Sequence, residues 1–141
     1  MGNNPELLFK TMKQSNECGY FKPLGMEILE VGGGKSRLRL AVGEQHMNPF
    51  GTAHGGVYCS LLDAAVFFAC FSTVETDQPS MTSLEMKVNF IAPVRSGEVF
   101  AEGSSISTGK SILVGEARVL DSNGRLLAAG TGTCMAFSKS K

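Results

Sequence analysis

The segment from His54 to Val74 constrains the fold more than any other part of the chain. Its sequence, HGGVYCSLLDAAVFFACFSTV, is apolar around the whole circumference of a helix. Such a helix either spans a membrane or is buried on all sides by other elements. Asp63 lies near its middle, and acidic residues are rare within membrane spans. We therefore predict a core helix that the rest of the chain surrounds.

The remaining sequence predicts strands, because apolar and polar residues alternate along much of it. A short helix over 6–17 comes first, and Asp121–Gly124 has the composition of a hairpin turn. The predicted strands span 26–31, 35–42, 84–91, 98–107, 111–120 and 125–137. The pattern favours an α+β fold in which one curved antiparallel sheet wraps around the long central helix. One sheet cannot enclose the helix completely, whereas a second copy of the chain would.

Composition limits the classes of partner. The chain has 141 residues, which suits a single domain over 1–141, with its core at about 24–137. Its 13 Lys and Arg balance 13 Asp and Glu, so a broad nucleic-acid-binding face is not expected. Only 18% of residues are charged, against roughly 25% in an average domain, which suggests that a second copy covers part of the surface.

Cysteine and histidine usage gives no support for a metal site. The four cysteines form no CxxC pair, and there are only two histidines, of which His46 is interpreted as a loop residue. The N-terminal residues show no signal peptide pattern. We therefore expect a reduced cytoplasmic protein with no metal ion and no membrane partner.

The start of the central helix has the composition of an anion site. Gly55 and Gly56 follow His54 in the first turn, where backbone amides have no partner within the helix. The missing side chains let a ligand atom approach these amides, an arrangement that suits the developing oxyanion of an ester or thioester. The alternative is that the two glycines only permit a tight turn into the helix.

Asp63 is the candidate reactive group. Apolar residues surround it in the sequence, and a buried carboxylate without partners costs several kcal/mol. It is a candidate general base or nucleophile, and a structural hydrogen bond to the backbone is the alternative. Asp63 follows Gly55 by eight residues, or roughly 12 Å along the helix axis. Since one carbonyl must reach both groups, the two would have to come from different subunits of a dimer.

These residues also carry a resemblance. The run NPFGTAHGG at 48–56, with Asp63 nine residues after His54, resembles the hotdog-fold acyl-CoA thioesterases. Within them it is most similar to the subgroup associated with phenylacetic acid degradation (PaaI-like). The segment SLEMKVNFIAPVRSGE at 83–98 resembles that family's third strand and the turn after it. The similarity covers roughly residues 24–137, and the family has the same order of two strands, a helix and four strands.

The resemblance implies a set of roles. Asp63 would be the catalytic carboxylate, where some relatives have Glu, and Gly55 would offer its amide to the thioester carbonyl. Asn48 and His54 would help to position the carbonyl, and Ser83 would orient the attacking water. The alternatives are that Asn48 is only a turn residue and that Ser83 is only a hydroxyl at a strand edge. No cofactor is implied, because coenzyme A is part of the substrate.

The substrate and the assembly stay open at this point. Arg95 and Lys110 lie in predicted turns and are candidates to contact the coenzyme A phosphates at one mouth of the site, with Gly56 as a further substrate-binding residue. A homodimer with a shared site, assembled into a dimer of dimers, is expected. The acyl group is aryl, phenylacetyl or aliphatic. A non-catalytic acyl-CoA sensor and a hotdog-fold hydratase or dehydratase are the alternative functions.

Overall fold

The computed structural model describes residues 4–75 and 79–138 of the chain. The helices are α1 (Pro5–Asn16), α2 (Phe21–Leu24) and α3 (Gly55–Phe71), with a short 3-10 turn at Glu44–His46. The strands are β1 (Met26–Gly32), β2 (Lys35–Val42), β3 (Pro79–Phe90), β4 (Gly97–Thr108), β5 (Ile112–Asp121) and β6 (Leu126–Ser138). These elements confirm the predicted order of two strands, a long helix and four strands.

One antiparallel sheet holds all six described strands, in the order β1-β2-β4-β5-β6-β3. Helix α3 packs across one face of this sheet, and α1 packs against β1. The α+β fold, with a long central helix and a short N-terminal helix, is therefore confirmed. The order leaves β1 and β3 as the two edges of the sheet, and the edge at β3 is important for the site.

Glycines in the sheet let α3 approach closely. A Cβ atom on Gly103 of β4 would lie 2.2 Å from the Ala65 carbonyl oxygen, and one on Gly132 of β6 would lie 3.1 Å from Val66. The Ser36 hydroxyl also donates a hydrogen bond of 2.6 Å to the Ala65 carbonyl, so α3 is fixed on the sheet by packing and by hydrogen bonding.

Turn chemistry follows the sequence prediction. The Asp121 side chain accepts hydrogen bonds from the amides of Asn123 and Arg125, and Gly124 has a φ of 82°. This is the hairpin turn predicted between β5 and β6. The segment between α1 and β1 includes the four-residue α2.

Within the single chain, α3 is buried on only part of its circumference. Its sheet-facing residues are buried, but Asp63 is exposed on the opposite side of the helix. This agrees with the expectation that one sheet does not enclose the helix completely. On β3 the apolar residues Leu84 and Phe90 are exposed, so the alternation of apolar and polar residues does not point inward at either end of that segment.

Candidate active site

The first turn of α3 has one unused backbone donor. His54 is the N-cap residue, and its Nδ1 atom accepts a hydrogen bond of 2.9 Å from the Gly56 amide. The Gly55 amide has no acceptor among the described residues. Of the two glycines predicted to meet a substrate, Gly55 is therefore the one whose donor is available, while the amide of Gly56 is engaged by the cap.

An aromatic pair covers this end of the helix. A Cβ atom on Gly55 would lie 3.1 Å from the Phe90 ring, and that ring lies 6.3 Å from the ring of Tyr58. The Tyr58 hydroxyl donates a 3.0 Å hydrogen bond to the Ala92 carbonyl. Burial raises the pKa of the Tyr58 phenol above its usual value, so Tyr58 is a neutral wall of the site.

Asn48 holds the loop that leads into α3. Its Oδ1 atom accepts from the amides of Phe50 and Thr52, and its Nδ2 atom donates to the Thr52 hydroxyl at 2.9 Å. These bonds make a compact turn whose conformation depends on the Asn48 side chain. The structure thus gives Asn48 a positioning contact with this loop, and one of its two Nδ2 hydrogens stays available for a ligand.

His46 supports the same loop from beneath, which the sequence did not predict. It is only 1% exposed, rather than an open loop residue. Its Nδ1 atom accepts from the Gly43 amide at 2.8 Å, so the ring proton lies on Nε2, which donates to the Leu24 carbonyl at 2.7 Å. The His46 carbonyl in turn accepts from the His54 amide. A polar residue in a polar sequence gives no signal of such burial.

Asp63 and Ser83 meet across the gap between α3 and β3. The Ser83 hydroxyl donates a hydrogen bond of 2.7 Å to Oδ1 of Asp63. The sequence predicted a buried carboxylate here, whereas the side chain is exposed within the single chain. The second carboxylate oxygen of Asp63, Oδ2, has no hydrogen-bond partner among the described residues.

A β-bulge directs Ser83 towards the helix. The register of β3 against β6 shifts between Ser83, opposite Cys134, and Glu85, opposite Thr133. An extra residue in one strand reverses the side on which the residues beyond it point. Met86 packs against the core on one side of the bulge, and Ser83 faces Asp63 on the other.

Two buried thiols lie behind this pair. Cys134 is the cross-strand neighbour of Ser83, and Cys70 comes from α3; both are free and almost fully buried. A hydrogen bond with the Cys134 thiol and burial raise the pKa of Cys70 well above its usual range. Cys70 is therefore a protonated packing residue and has no role as a nucleophile.

The two predicted phosphate contacts lie at opposite ends of α3. The Arg95 guanidinium donates to the Gly51 carbonyl at 3.3 Å, in the loop before the helix. Lys110 lines a cavity of about 640 Å³ together with Thr73, beyond the other end. Since α3 has 17 residues, it is roughly 25 Å long. Within one chain the structure therefore does not bring Arg95 and Lys110 to one mouth.

Residues 4–75 and 79–138 contain no group of three or more His, Cys, Asp or Glu side chains that could hold a metal ion. No helix in the described part of the chain is long and apolar enough to cross a membrane.

Comparison with known proteins defines the class. The sequence profile of the thioesterase superfamily matches residues 50–128, which include α3, β3, β4 and β5. The chain belongs to this superfamily, whose hotdog fold is the one observed.

Individual relatives agree with this assignment. The chain is 32% identical over 123 residues to a 1,4-dihydroxy-2-naphthoyl-CoA hydrolase of Listeria monocytogenes, covering 87% of this chain and 99% of that protein. A thioesterase of Haemophilus influenzae has a similar structure, with a TM-score of 0.85 and 25% identity, over 94% of this chain and 92% of that one. A conserved protein of Pseudomonas aeruginosa gives a TM-score of 0.83 at 30% identity, over 89% and 98% of the two chains.

Proposed function

We propose that this chain is an acyl-CoA thioesterase that hydrolyses a coenzyme A thioester to the free acid and coenzyme A, with Asp63 as its catalytic carboxylate. The observation that carries the proposal is the hydrogen bond from Ser83 to Asp63. It fixes one oxygen of an accessible carboxylate and leaves the other free to act on water or on the thioester. The naphthoyl-CoA hydrolase of Listeria monocytogenes supports an acyl-CoA substrate.

The proposed site is shared between two chains. Gly55 and Asp63 lie roughly 12 Å apart along α3, so one thioester carbonyl cannot contact both within a single chain. Strand β3 is an edge of the sheet, and it carries exposed Leu84 and Phe90. Pairing of two β3 edges about a two-fold axis would cover these side chains and set two α3 helices side by side and antiparallel.

The dimer also accounts for the two separated cations. Two antiparallel α3 helices would place Gly55 of the first chain opposite Asp63 of the second. The last turn of the second helix would then lie just beyond the first turn of the first helix, so that Lys110 of the second chain approaches Arg95 of the first. These two side chains would together flank the coenzyme A phosphates. A further association into a dimer of dimers, and membership of the PaaI-like subgroup, stay predictions.

The reaction follows from these positions. With Asp63 as general base, its free oxygen takes a proton from a water molecule, and the water oxygen forms a bond to the thioester carbon. The carbonyl oxygen becomes an oxyanion that the Gly55 amide of the second chain stabilises. The tetrahedral intermediate then breaks its carbon–sulfur bond, and the proton returns from Asp63 to the coenzyme A sulfur.

With Asp63 as nucleophile, its oxygen forms a mixed anhydride and expels the thiolate, and water then hydrolyses the anhydride. A single turnover in ¹⁸O-labelled water detects the anhydride when water attacks it at the Asp63 carbonyl, because label then enters the protein carboxylate. The general-base route places all label in the free acid.

The experiment that tests the function measures thiol release from aryl and aliphatic acyl-CoA thioesters. We expect Asp63→Asn to lower kcat by about 10² to 10⁴, because the amide can neither accept the proton nor attack the carbonyl. Glu116→Gln is the matched control, since Glu116 is an exposed acid on β5 outside the candidate site. Thiol release at the wild-type rate by Asp63→Asn would refute the proposal.

A further inference from the structure

The hydrogen bonding that holds Asp63 continues beyond Ser83 into the core. Ser83 of β3 lies directly opposite Cys134 of β6 in the sheet. Side chains at such opposed positions share a face, with Cβ atoms roughly 4.5 to 5.5 Å apart. The Cys134 thiol forms a hydrogen bond with the Ser83 hydroxyl, so the side chain that bonds to Asp63 is itself held from behind.

The surroundings of Cys134 limit the partners of its thiol. The side chain is only 1% exposed, so water is not a partner. Its neighbour on β5 is the apolar Leu113. From α3 the Cys70 thiol hydrogen-bonds to it, and Cys70 is held tightly in turn, because a Cβ atom on Gly115 would lie 3.0 Å from its Sγ. Among the described residues, Ser83 and Cys70 are therefore the polar side chains that bond to Cys134.

The direction of each hydrogen bond follows from the number of hydrogens. The Ser83 hydroxyl has one hydrogen, and it donates this hydrogen to Oδ1 of Asp63 at 2.7 Å. The bond between Ser83 and Cys134 must therefore use the thiol hydrogen, with the Ser83 oxygen as acceptor. The bond between the two thiols raises the pKa of Cys70 and lowers the pKa of Cys134, as expected when Cys70 donates and Cys134 accepts. All three donors thus point towards the carboxylate.

This direction matters for Ser83 because a hydroxyl hydrogen can rotate about the Cβ–Oγ bond. A donor fixed behind the Ser83 oxygen restricts that rotation and leaves the hydroxyl hydrogen on the side of Asp63. Hydrogen bonds in a chain also polarise one another, which strengthens the bond to the carboxylate. An apolar side chain of similar size at position 134 would fill the space and supply neither effect.

We propose that Cys134 is a positioning residue for the hydrolysis: its thiol donates to the Ser83 oxygen and so holds the Ser83 hydrogen on one oxygen of Asp63, while the other oxygen stays free to react. Cys134 touches neither the substrate nor the reacting atoms, and it acts through Ser83. This proposal rests on the proposed thioesterase function and gives the buried thiols a part in it.

A double-mutant cycle on thiol release tests the coupling between the two residues. We expect Cys134→Ala to lower kcat by about two- to fivefold with an unchanged KM, because one weak hydrogen bond is lost. In the Ser83→Ala background the same substitution should have no further effect, since its route to Asp63 is already gone. Cys134→Ser retains a donor and should have a higher kcat than Cys134→Ala.

Val99→Ala is the matched control for a loss of core packing. Val99 is fully buried on β4, and β5 and β6 separate that strand from β3. We expect this variant to lose stability while its kcat stays at the wild-type value. If Val99→Ala lowers kcat as much as Cys134→Ala does, the thiol acts through packing and the proposal is wrong.

The thiol hydrogen bond can also be observed without turnover. The S–H stretch of cysteine absorbs in an infrared region free of other protein bands, and its frequency falls when the thiol donates a hydrogen bond. Difference spectra between chains with and without Cys134 isolate its band in the wild-type and Ser83→Ala backgrounds. We expect the band to move to higher frequency in Ser83→Ala, because the acceptor is gone.

The outcomes separate this proposal from the proposed function. A wild-type chain that releases thiol, combined with equal effects of Cys134→Ala in both backgrounds or with an S–H band that does not move, overturns the role of Cys134 and leaves the thioesterase function standing. A wild-type chain that releases thiol from no acyl-CoA thioester overturns the function, and the positioning role of Cys134 with it.

Discussion

The contact between β4 and α3 gives the sharpest stability prediction, for the substitution Gly103→Ala. The added Cβ would lie 2.2 Å from the Ala65 carbonyl oxygen and 2.5 Å from the Ser36 hydroxyl oxygen. Ordinary van der Waals contact begins at 3.4 Å, so α3 would have to move by more than about 1 Å in a close-packed core. Neither obstacle is the end of a long, flexible side chain, so neither can move aside easily.

Two costs contribute to the loss of stability. Overpacking of a core costs about 1 to 3 kcal/mol. The 2.6 Å hydrogen bond from Ser36 to Ala65 is buried, and its disruption adds about 1 to 3 kcal/mol. The expected decrease in the free energy of unfolding is therefore about 2 to 6 kcal/mol, against a total of about 5 to 15 kcal/mol for a typical domain.

Urea denaturation followed by circular dichroism measures this change. With a slope of about 1 to 3 kcal/mol per molar urea, the midpoint should fall by roughly 1 to 3 M. Gly32→Ala is the control, because Gly32 has no atom within 4 Å of an added Cβ and no positive φ, and we expect its midpoint to stay near that of the wild type. Equal midpoints for Gly103→Ala and the wild type would refute the packing argument.

Two further substitutions test individual contacts. Ser83→Ala removes the hydrogen-bond donor to Asp63. Because a hydrogen bond to a charged group contributes about 1.5 kcal/mol, we expect kcat to fall by about tenfold while the melting temperature stays unchanged. A wild-type kcat would contradict the role of Ser83. His46→Leu leaves the Gly43 amide and the Leu24 carbonyl without their hydrogen-bond partner, so we expect the free energy of unfolding to fall by about 2 to 4 kcal/mol. A decrease of less than about 1 kcal/mol, measured by urea denaturation, would contradict this role of His46.

The sequence predicts most of the fold because its signals are local. Alternation predicted β2, where Leu38 and Leu40 are buried and Arg37 and Arg39 lie on the other face. The turn residues around Gly124 predicted the hairpin between β5 and β6. The boundaries of β1, β2 and α1 differ from the predicted ones by at most one residue at each end.

The features that the sequence did not predict depend on contacts between distant residues. The bulge that directs Ser83 to Asp63 exists because β3 and β6 pair with a register shift, and no composition signal marks it. The burial of His46 depends on the Leu24 carbonyl, which comes from a separate segment. The exposure of Asp63 follows from the side of α3 that the sheet leaves open, and hydropathy cannot identify that side.

A site built from Asp63 of one chain and Gly55 of the other can be tested by mixing two inactive variants. Asp63→Asn removes the carboxylate. Gly55→Pro removes the amide hydrogen at a position where helices tolerate proline, and the extended backbone of His54, with φ −62° and ψ 142°, suits a following proline. Each variant alone should release thiol at least about 10² times more slowly than the wild type.

The two variants are unfolded together in equal amounts, refolded and assayed for thiol release. A mixed dimer contains one intact site, made of Gly55 from the first variant and Asp63 from the second. With random pairing, we expect recovery of about a quarter of the wild-type rate per chain. A mixture that stays as inactive as the separate variants would contradict the shared site, because each chain would then hold both groups of its own site.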